Sequence, residues 1–302
     1  MRNLAPAGAI GPAASAPRKT RVAAVSIVSN TVLIALKVVA GVVTGSIAII
    51  TEAVHSSIDL VASVIAYFSV RKADEPADAD HMYGHAKVEN LAAAIEGMLI
   101  LAGAGIIVYE SIRRLAIGTA VGDLGFGIAV IAVSAAANAG VSTYLYRQAR
   151  RTDSPALEGD AAHLRTDAMT SAGVLVGLIL VELTGVDELD AATALLVAAA
   201  IVTAGVRIVN RSSRVLVDEA LPGRELEAIR AAIEGHDAPE LVGFHKLRAR
   251  RGGSRRHVDL HVQFRPGTTL ERAHAVSHEL EGQIRSRLRG ADVLIHLEPD
   301  RR

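Results

Sequence analysis

Six membrane-spanning helices followed by a C-terminal α+β domain of ferredoxin-like type, in the order αββαβ, is the architecture this sequence predicts. Three observations lead there. Half of the 302 residues are hydrophobic. The apolar residues gather into runs long enough to cross a bilayer as helices. After Arg214 the composition becomes that of a small soluble domain. Aromatic residues make up only 3% and tryptophan is absent, so the apolar mass is Ala, Val, Leu and Ile, which suits closely packed membrane helices. A net charge of zero gives no sign of a nucleic-acid partner. The absence of cysteine excludes disulfides and thiolate metal sites and leaves His, Asp and Glu as possible ligands.

The elements follow in order. The first seventeen residues are rich in Ala, Pro and Gly and lack the continuous apolar run of a cleaved signal peptide. Residues 1–20 are therefore expected to form a disordered tail. Residues 21–214 are read as the transmembrane domain, with spans at about Val22–Val43, Ile47–Val70, Val88–Ser111, Gly125–Tyr146, Ala161–Leu183 and Ala191–Val209. The connections Thr44–Ser46 and Thr184–Asp190 carry no Lys or Arg. Arg71, Lys72, Lys87, Arg147, Arg150 and Arg151 fall in the other two helix connections predicted to lie inside, and Arg18, Lys19 and Arg21 precede the first span. The positive-inside rule then places both termini in the cytoplasm of a bacterial-type inner membrane, Arg113 and Arg114 being the minority against it.

Residues 215–302 form the second domain. Arg224–Gly235 has helical periodicity through Leu226, Ile229 and Ile233. Leu241–Ala249 reads as a strand, and Arg251-Gly252-Gly253-Ser254 as a turn. Arg256–Phe264 alternates, with Val258, Leu260, Val262 and Phe264 on one face and His257, Asp259, His261 and Gln263 on the other. Thr268 and Glu271 fit a capping box for a helix to about Leu288. Ala291–Glu298 closes the domain as a strand with His296 and Glu298 on one face.

Chemistry concentrates in three places. Inside the second span, His55 and Asp59 are four residues apart, so a helix puts them one turn apart on one face, shared with Glu52. The same His-x-x-x-Asp spacing returns at His163 and Asp167 in the fifth span. Ionisable groups at membrane depth are costly and face a bundle interior or an aqueous path. Two such pairs supply four ligands to one divalent ion, a set suited to tetrahedral zinc. The ligands bind when imidazole is neutral and carboxylates are ionised, so protons compete with metal. The second place is the loop Asp78-Ala79-Asp80-His81-Met82-Tyr83-Gly84-His85, dense in ligand types. The third is the C-terminal domain, where His245, His261, His274, His296 and Glu298 occur with His257 and His278 nearby. No Walker A loop, Gly-x-Ser-x-Gly or His-Glu-x-x-His occurs, so the residues point to no enzyme and to no ATP-driven transport within this chain.

Taken together, Gly45-Ser46-Ile47-Ala48 leading into His55 and Asp59, His81-x-x-Gly84-His85-x-Lys87-x-Glu89, His163-x-x-x-Asp167, Asp218-Glu219-Ala220-Leu221-Pro222 and His296-Leu297-Glu298-Pro299 resemble the cation diffusion facilitator family. The resemblance runs from about Ala23 to Pro299. It implies a homodimeric exporter of divalent cations, Zn²⁺ foremost, with protons moving inward. It implies a transport site of His55, Asp59, His163 and Asp167, and a loop site of Asp78, His81 and His85. It further implies cytoplasmic-domain sites of His245, His261, His274, His296 and Glu298 near the dimer interface, and a charged pair of Lys87 and Asp218 joining the two domains. Glu298 stands where a well-studied type of family member has Asp, and His55 stands where some relatives have Asp or an uncharged residue. His in place of a hard oxygen favours zinc over manganese. Iron, manganese, cobalt or cadmium as the principal ion, and a membrane-anchored metal sensor, are the alternative readings.

Overall fold

The computed structural model describes residues 16–44, 47–117, 125–186 and 188–300, and among helical positions it leaves the side chains of a few, Glu52 and His55 included, outside the description. The chain divides into two compact units, Met1–Ser213 and Arg214–Arg302. The first holds helices α1 (Ala16–Thr44), α2 (Ile47–Ala73), α3 (Val88–Ile117), α4 (Gly125–Thr152), α5 (Pro155–Thr184) and α6 (Glu188–Leu216), the last of which runs just past the division. Five of them, all but α2, are long and apolar enough to cross a membrane among the described residues.

Helix α5 is the hub: it packs on α4, α3, α2 and α1. Its sequence explains why it starts early. The expected start was Ala161, but Pro155 occupies the first turn, where its missing N–H costs nothing. Ser154 caps it by accepting from the Leu157 amide at 3.4 Å. Gly185, at φ 69°, ends it in the left-handed conformation that a residue without Cβ adopts freely. The extra turns bury Ala156 and Leu157, which join Ala161 and Leu164 in a cluster with Val22, Val70, Leu145 and Ala149.

The N-terminal boundary also shifts. Residues 16–20, expected in a tail, are the first turns of α1. Lys19 is 1% exposed because its ammonium donates to Glu89 Oε1 at 2.9 Å and lies 3.8 Å from Asp74. The buried partner lets the charged end of α1 stay helical and packed. The described part of the expected tail thus belongs to the bundle, and residues 1–15 lie outside the described residues. Between α3 and α6, a Cβ on Gly205 would meet Leu101 at 2.9 Å and one on Gly97 would meet Val209 at 2.7 Å. Small residues here permit the close backbone approach that membrane helices use in place of a hydrophobic driving force.

The second unit comprises α7 (Gly223–Glu234), β1 (Leu241–Gly252), β2 (Arg255–Phe264), α8 (Leu270–Arg287) and β3 (Ala291–Pro299). Its sheet runs β1-β2-β3, with β1 and β2 antiparallel and β2 and β3 parallel. Helix α8 makes the crossover that a parallel pair requires. The alternation of β2 holds as read: Val258, Leu260, Val262 and Phe264 are buried against Ile229, Ile233, Val276, Leu280 and Ile284. Helix α8 is capped by Thr269, whose hydroxyl accepts from the Arg272 amide at 3.3 Å. Thr268, expected to be the cap, instead donates to the Arg265 carbonyl at 2.8 Å within the preceding turn.

Leu260 is 1% exposed at the centre of this core. Leu260→Ala leaves a cavity costing about 3 kcal/mol. Hydrogen exchange across β2 should therefore speed up by roughly two orders of magnitude while the amides of α5 keep their protection.

Candidate metal centres

Helices α2 and α5 carry the two His-x-x-x-Asp motifs at matching positions, the ninth and thirteenth residues of each. At 1.5 Å per residue each motif begins about 12 Å along its helix. Packing of α2 on α5 brings Asp59, His163 and Asp167 together, with one ligand atom of each within 4.8 Å of the others. His163 Nε2 lies 3.2 Å from Asp59 Oδ1. Asp59 and His163 are buried and Asp167 is half-buried. His55 lies on α2 one turn before Asp59, and its side chain falls outside the described residues, as does that of Glu52.

Two further carboxylates line this region and were missed in the sequence reading. Asp160, one turn before His163, is fully buried, and its Oδ1 accepts from Ser26 at 3.1 Å and Ser63 at 2.9 Å. Asn30 donates to Ser63 at 2.9 Å, which ties α1 and α2 to α5 through one polar chain. Glu96, on α3, is also fully buried and approaches His163 Nδ1 at 3.9 Å. The signal for Glu96 was its position in an apolar run, where an ionisable residue marks a functional candidate. Asp160 was hidden by the late start assigned to its helix. Lys37, buried in α1, donates to Ser56 at 2.7 Å and, like Glu96, is an ionisable residue inside an expected apolar span.

The loop between α2 and α3 gathers Asp78, His81 and His85 into a second group, again with ligand atoms within 4.8 Å of one another. Asp78 Oδ1 is 3.1 Å from His81 Nδ1, and Oδ2 is 3.2 Å from His85 Nε2. The amides of Asp80 and His81 donate to Asp78 at 3.0 and 2.7 Å, an Asx-type turn that forms the loop around the carboxylate. Partial desolvation works against the ionised Asp78, but hydrogen bonds from His81 and the nearby imidazoles outweigh it and hold the carboxyl below the usual range. Asp80 supplies its backbone to this turn and is not one of the three grouped ligands.

The third group belongs to the sheet. Register places His245 opposite His261 and His261 opposite His296, so three imidazoles stand abreast across β1, β2 and β3. A register shift after His245, with Lys246 at φ 49°, turns that part of β1 so that His245 faces the polar side while Phe244 and Leu247 pack on the core. Glu298 reaches both neighbours: one oxygen contacts His245 Nε2, and the other lies 3.3 Å from His261 Nδ1. Desolvation opposes the charge on Glu298, but His261 and His245 hold its carboxyl below the usual range. His245, His261 and Glu298 form the compact group, and the His296 ring centroid lies 4.5 Å from that of His261. His274 does not join them within one protomer. It sits on α8, with its Nε2 3.1 Å from that of His278. Lys87 immediately precedes α3 in the first unit, and Asp218 of the second accepts from Arg250 at 2.8 Å.

All three groups are built from imidazole and carboxylate donors, which fits divalent ions of zinc or iron type. The comparisons with known proteins agree with a cation-handling chain. The family model for the cation efflux transmembrane domain matches residues 23–217, and that for the cation efflux protein cytoplasmic domain matches residues 221–300. The cation-efflux pump FieF of Yersinia enterocolitica is 32% identical over 283 residues, 93% of each chain. A transporter of Synechocystis, sll1263, whose role is uncharacterised, is 32% identical over 244 residues, covering 81% of this chain and 78% of its own. Among solved structures, a chain of CzrB is 34% identical, covers 26% of this chain and 98% of its own, and has a TM-score of 0.26. With its apolar helices and both family domains in place, the chain is an integral membrane protein belonging to the cation diffusion facilitator family of cation efflux transporters.

Proposed function

We propose that this protein is a secondary active transporter that exports divalent metal cations, Zn²⁺ first among them, from the cytoplasm in exchange for protons. The observation that carries the reading is the convergence of Asp59, His163 and Asp167 between two long helices. Buried carboxylates in an apolar bundle need compensation, and a divalent cation supplies it. With His55 as the fourth ligand the set becomes two imidazoles and two carboxylates, the tetrahedral N/O donor set zinc accepts. Protons arriving at the imidazoles weaken the same bonds, so a proton gradient can drive release. Alternating access then amounts to two bundle arrangements whose populations the ion and the protons shift.

In this reading α2 is the sixth span, both termini are cytoplasmic, and the membrane is a bacterial inner membrane. The C-terminal unit is a ferredoxin-like domain lacking its first strand, and it pairs two protomers. The loop and C-terminal groups bind the same ions and stabilise the dimer, with His274 and His296 contributing near its interface.

The test is ion flux into proteoliposomes under an imposed pH gradient, comparing Zn²⁺ with Fe²⁺, Mn²⁺, Co²⁺ and Cd²⁺. Zinc uptake that rises with the gradient and collapses when a protonophore dissipates it is the expected result. Uptake of iron or manganese without zinc keeps the machine and changes its cargo. Binding without uptake of any ion moves the reading to a membrane-anchored metal sensor.

A further inference from the structure

We infer that Glu96 is a positioning residue for the transport site, holding the Nδ1 side of His163 so that Nε2 is presented to the cation. The inference rests on the transport reading of Asp59, His163 and Asp167. Glu96 is 0% exposed, and neither of its carboxylate oxygens takes a hydrogen bond from a described group. His163 Nδ1 is likewise buried without a hydrogen-bond partner, and Glu96 Oε2 lies 3.9 Å from it. The other ring nitrogen is 3.2 Å from Asp59 Oδ1, inside the ligand group. The imidazole therefore stands between two carboxylates with different duties, Asp59 beside the cation and Glu96 behind the ring.

The chemistry requires an acceptor behind the ring. A neutral imidazole that binds a cation through Nε2 carries its proton on Nδ1, and a metal-binding His almost always donates that proton to a carboxylate or carbonyl. The two groups stand 3.9 Å apart, and the inference is that they close to hydrogen-bonding distance when the cation binds. The packing is built to admit this carboxylate. Gly159 lies one turn before His163, and a Cβ there would sit 3.2 Å from both Cβ and Cγ of Glu96 and 3.2 Å from the Ala93 Cα. Helix α3 comes close enough to α5 to aim Glu96 at the ring because position 159 has no side chain. A fully buried carboxylate with unmet hydrogen-bonding capacity is expensive. Orienting a ligand is a role that accounts for its presence.

The experiment uses the full chain carrying His81→Ala, His85→Ala, His245→Ala and His261→Ala, so that the transport site alone binds. Zn²⁺ affinity is measured in detergent by competition with a chromophoric chelator, and metal-free elution and helical circular dichroism report folding. Glu96→Ala should weaken binding by about 10- to 100-fold, the usual loss for a group that orients a metal-binding His. Glu96→Gln keeps an acceptor oxygen at the same reach and should stay within roughly fivefold of the parent. In a His163→Ala background, Glu96→Ala should cost nothing further, because its effect passes through the ring. Should Glu96→Ala fail to fold, Gly159→Ala takes its place: the added methyl, 3.2 Å from Glu96 Cβ and Cγ, shifts the carboxylate by a few tenths of an ångström and should lower affinity in the same direction. Parental affinity in Glu96→Ala, equal damage from Ala and Gln, or a full additional loss on His163→Ala each overturns the inference. Asp59→Ala separates the two levels of the argument: if it binds zinc as the parent does, the transport-site reading itself fails.

Discussion

On the proposed transport mechanism, Asp59→Ala should abolish proton-driven zinc uptake, lowering flux by at least about a hundredfold, while the protein still inserts and elutes as the parent does. The expected size follows from the position of the carboxylate. Groups that merely orient a ligand cost 10- to 100-fold when removed, so loss of a ligand costs more. Asp59 is buried on α2 and faces His163 Nε2 at 3.2 Å, so truncation removes a proposed ligand and the carboxylate that meets that imidazole nitrogen. Asp59→Asn, which keeps the shape and loses the charge, should fail nearly as completely, since two carboxylates are needed to neutralise a divalent ion in a low-dielectric site. The measurement is stopped-flow uptake into vesicles with a zinc dye inside. Parental rates in either variant would place the ion path elsewhere. The C-terminal group offers the control: His261→Ala should leave the bundle's own path open, since His261 belongs to the other unit.

The second large effect is on stability. Glu225→Ala should destabilise the C-terminal unit by about 3 kcal/mol, the usual cost of removing one partner of a buried ion pair. The Arg256 side chain is 8% exposed and donates to both oxygens of Glu225, at 2.8 and 3.1 Å, while Arg251 adds a third bond at 2.8 Å. Arg256 also donates to the Arg289 carbonyl at 3.0 Å, which ties α7 to the turn before β3. Without Glu225 the buried guanidinium loses the carboxylate that takes two of its hydrogen bonds. The pH dependence has a definite sign. Desolvation opposes ionisation of Glu225, yet Arg256 and Arg251 hold its carboxyl below the usual range. The folded value thus lies below the ordinary Glu value of about 4.3, so the stabilisation is complete above that pH and fades as pH falls through the folded value. Hydrogen exchange of the sheet should show the parent far better protected than Glu225→Ala at pH 7, with the gap narrowing below about pH 4. A gap that persists unchanged into acid, or none at neutral pH, would remove the ion pair from the account.

Much of the grouping of candidate residues was legible in advance because its logic is local. A four-residue His/Asp spacing means one helical face whatever the rest of the chain does, and a repeated motif within apolar runs points to a shared ion. The same holds for Asp78, His81 and His85, which one short loop brings together through its own backbone hydrogen bonds. Alternation along β2 likewise separated the buried residues from the ligand face, as the burial of Val258, Leu260 and Val262 shows. Where local signals competed, the reading slipped. Both Thr268 and Thr269 offer a hydroxyl for the start of α8, and Thr269 wins because Thr268 is used by the preceding turn. The bulge in β1 was invisible because an extra residue interrupts the period of two on which the reading depends, and it is this bulge that turns His245 toward Glu298.

By itself the sequence determined the membrane helices, the mixed α/β unit after Arg214, the family and the kinds of donor atom available to an ion. These depend on apolar run length, side-chain period and short spacings, all written along the chain. Only the tertiary structure decided which distant groups share a buried space. Lys19 with Glu89 keeps the end of α1 inside the bundle, Asp160 joins Ser26 and Ser63, and Glu96 reaches the far side of His163. Those pairings depend on how closely two helices approach, which at Gly159 turns on the absence of one methyl group. No local period encodes that distance, because packing in three dimensions sets it.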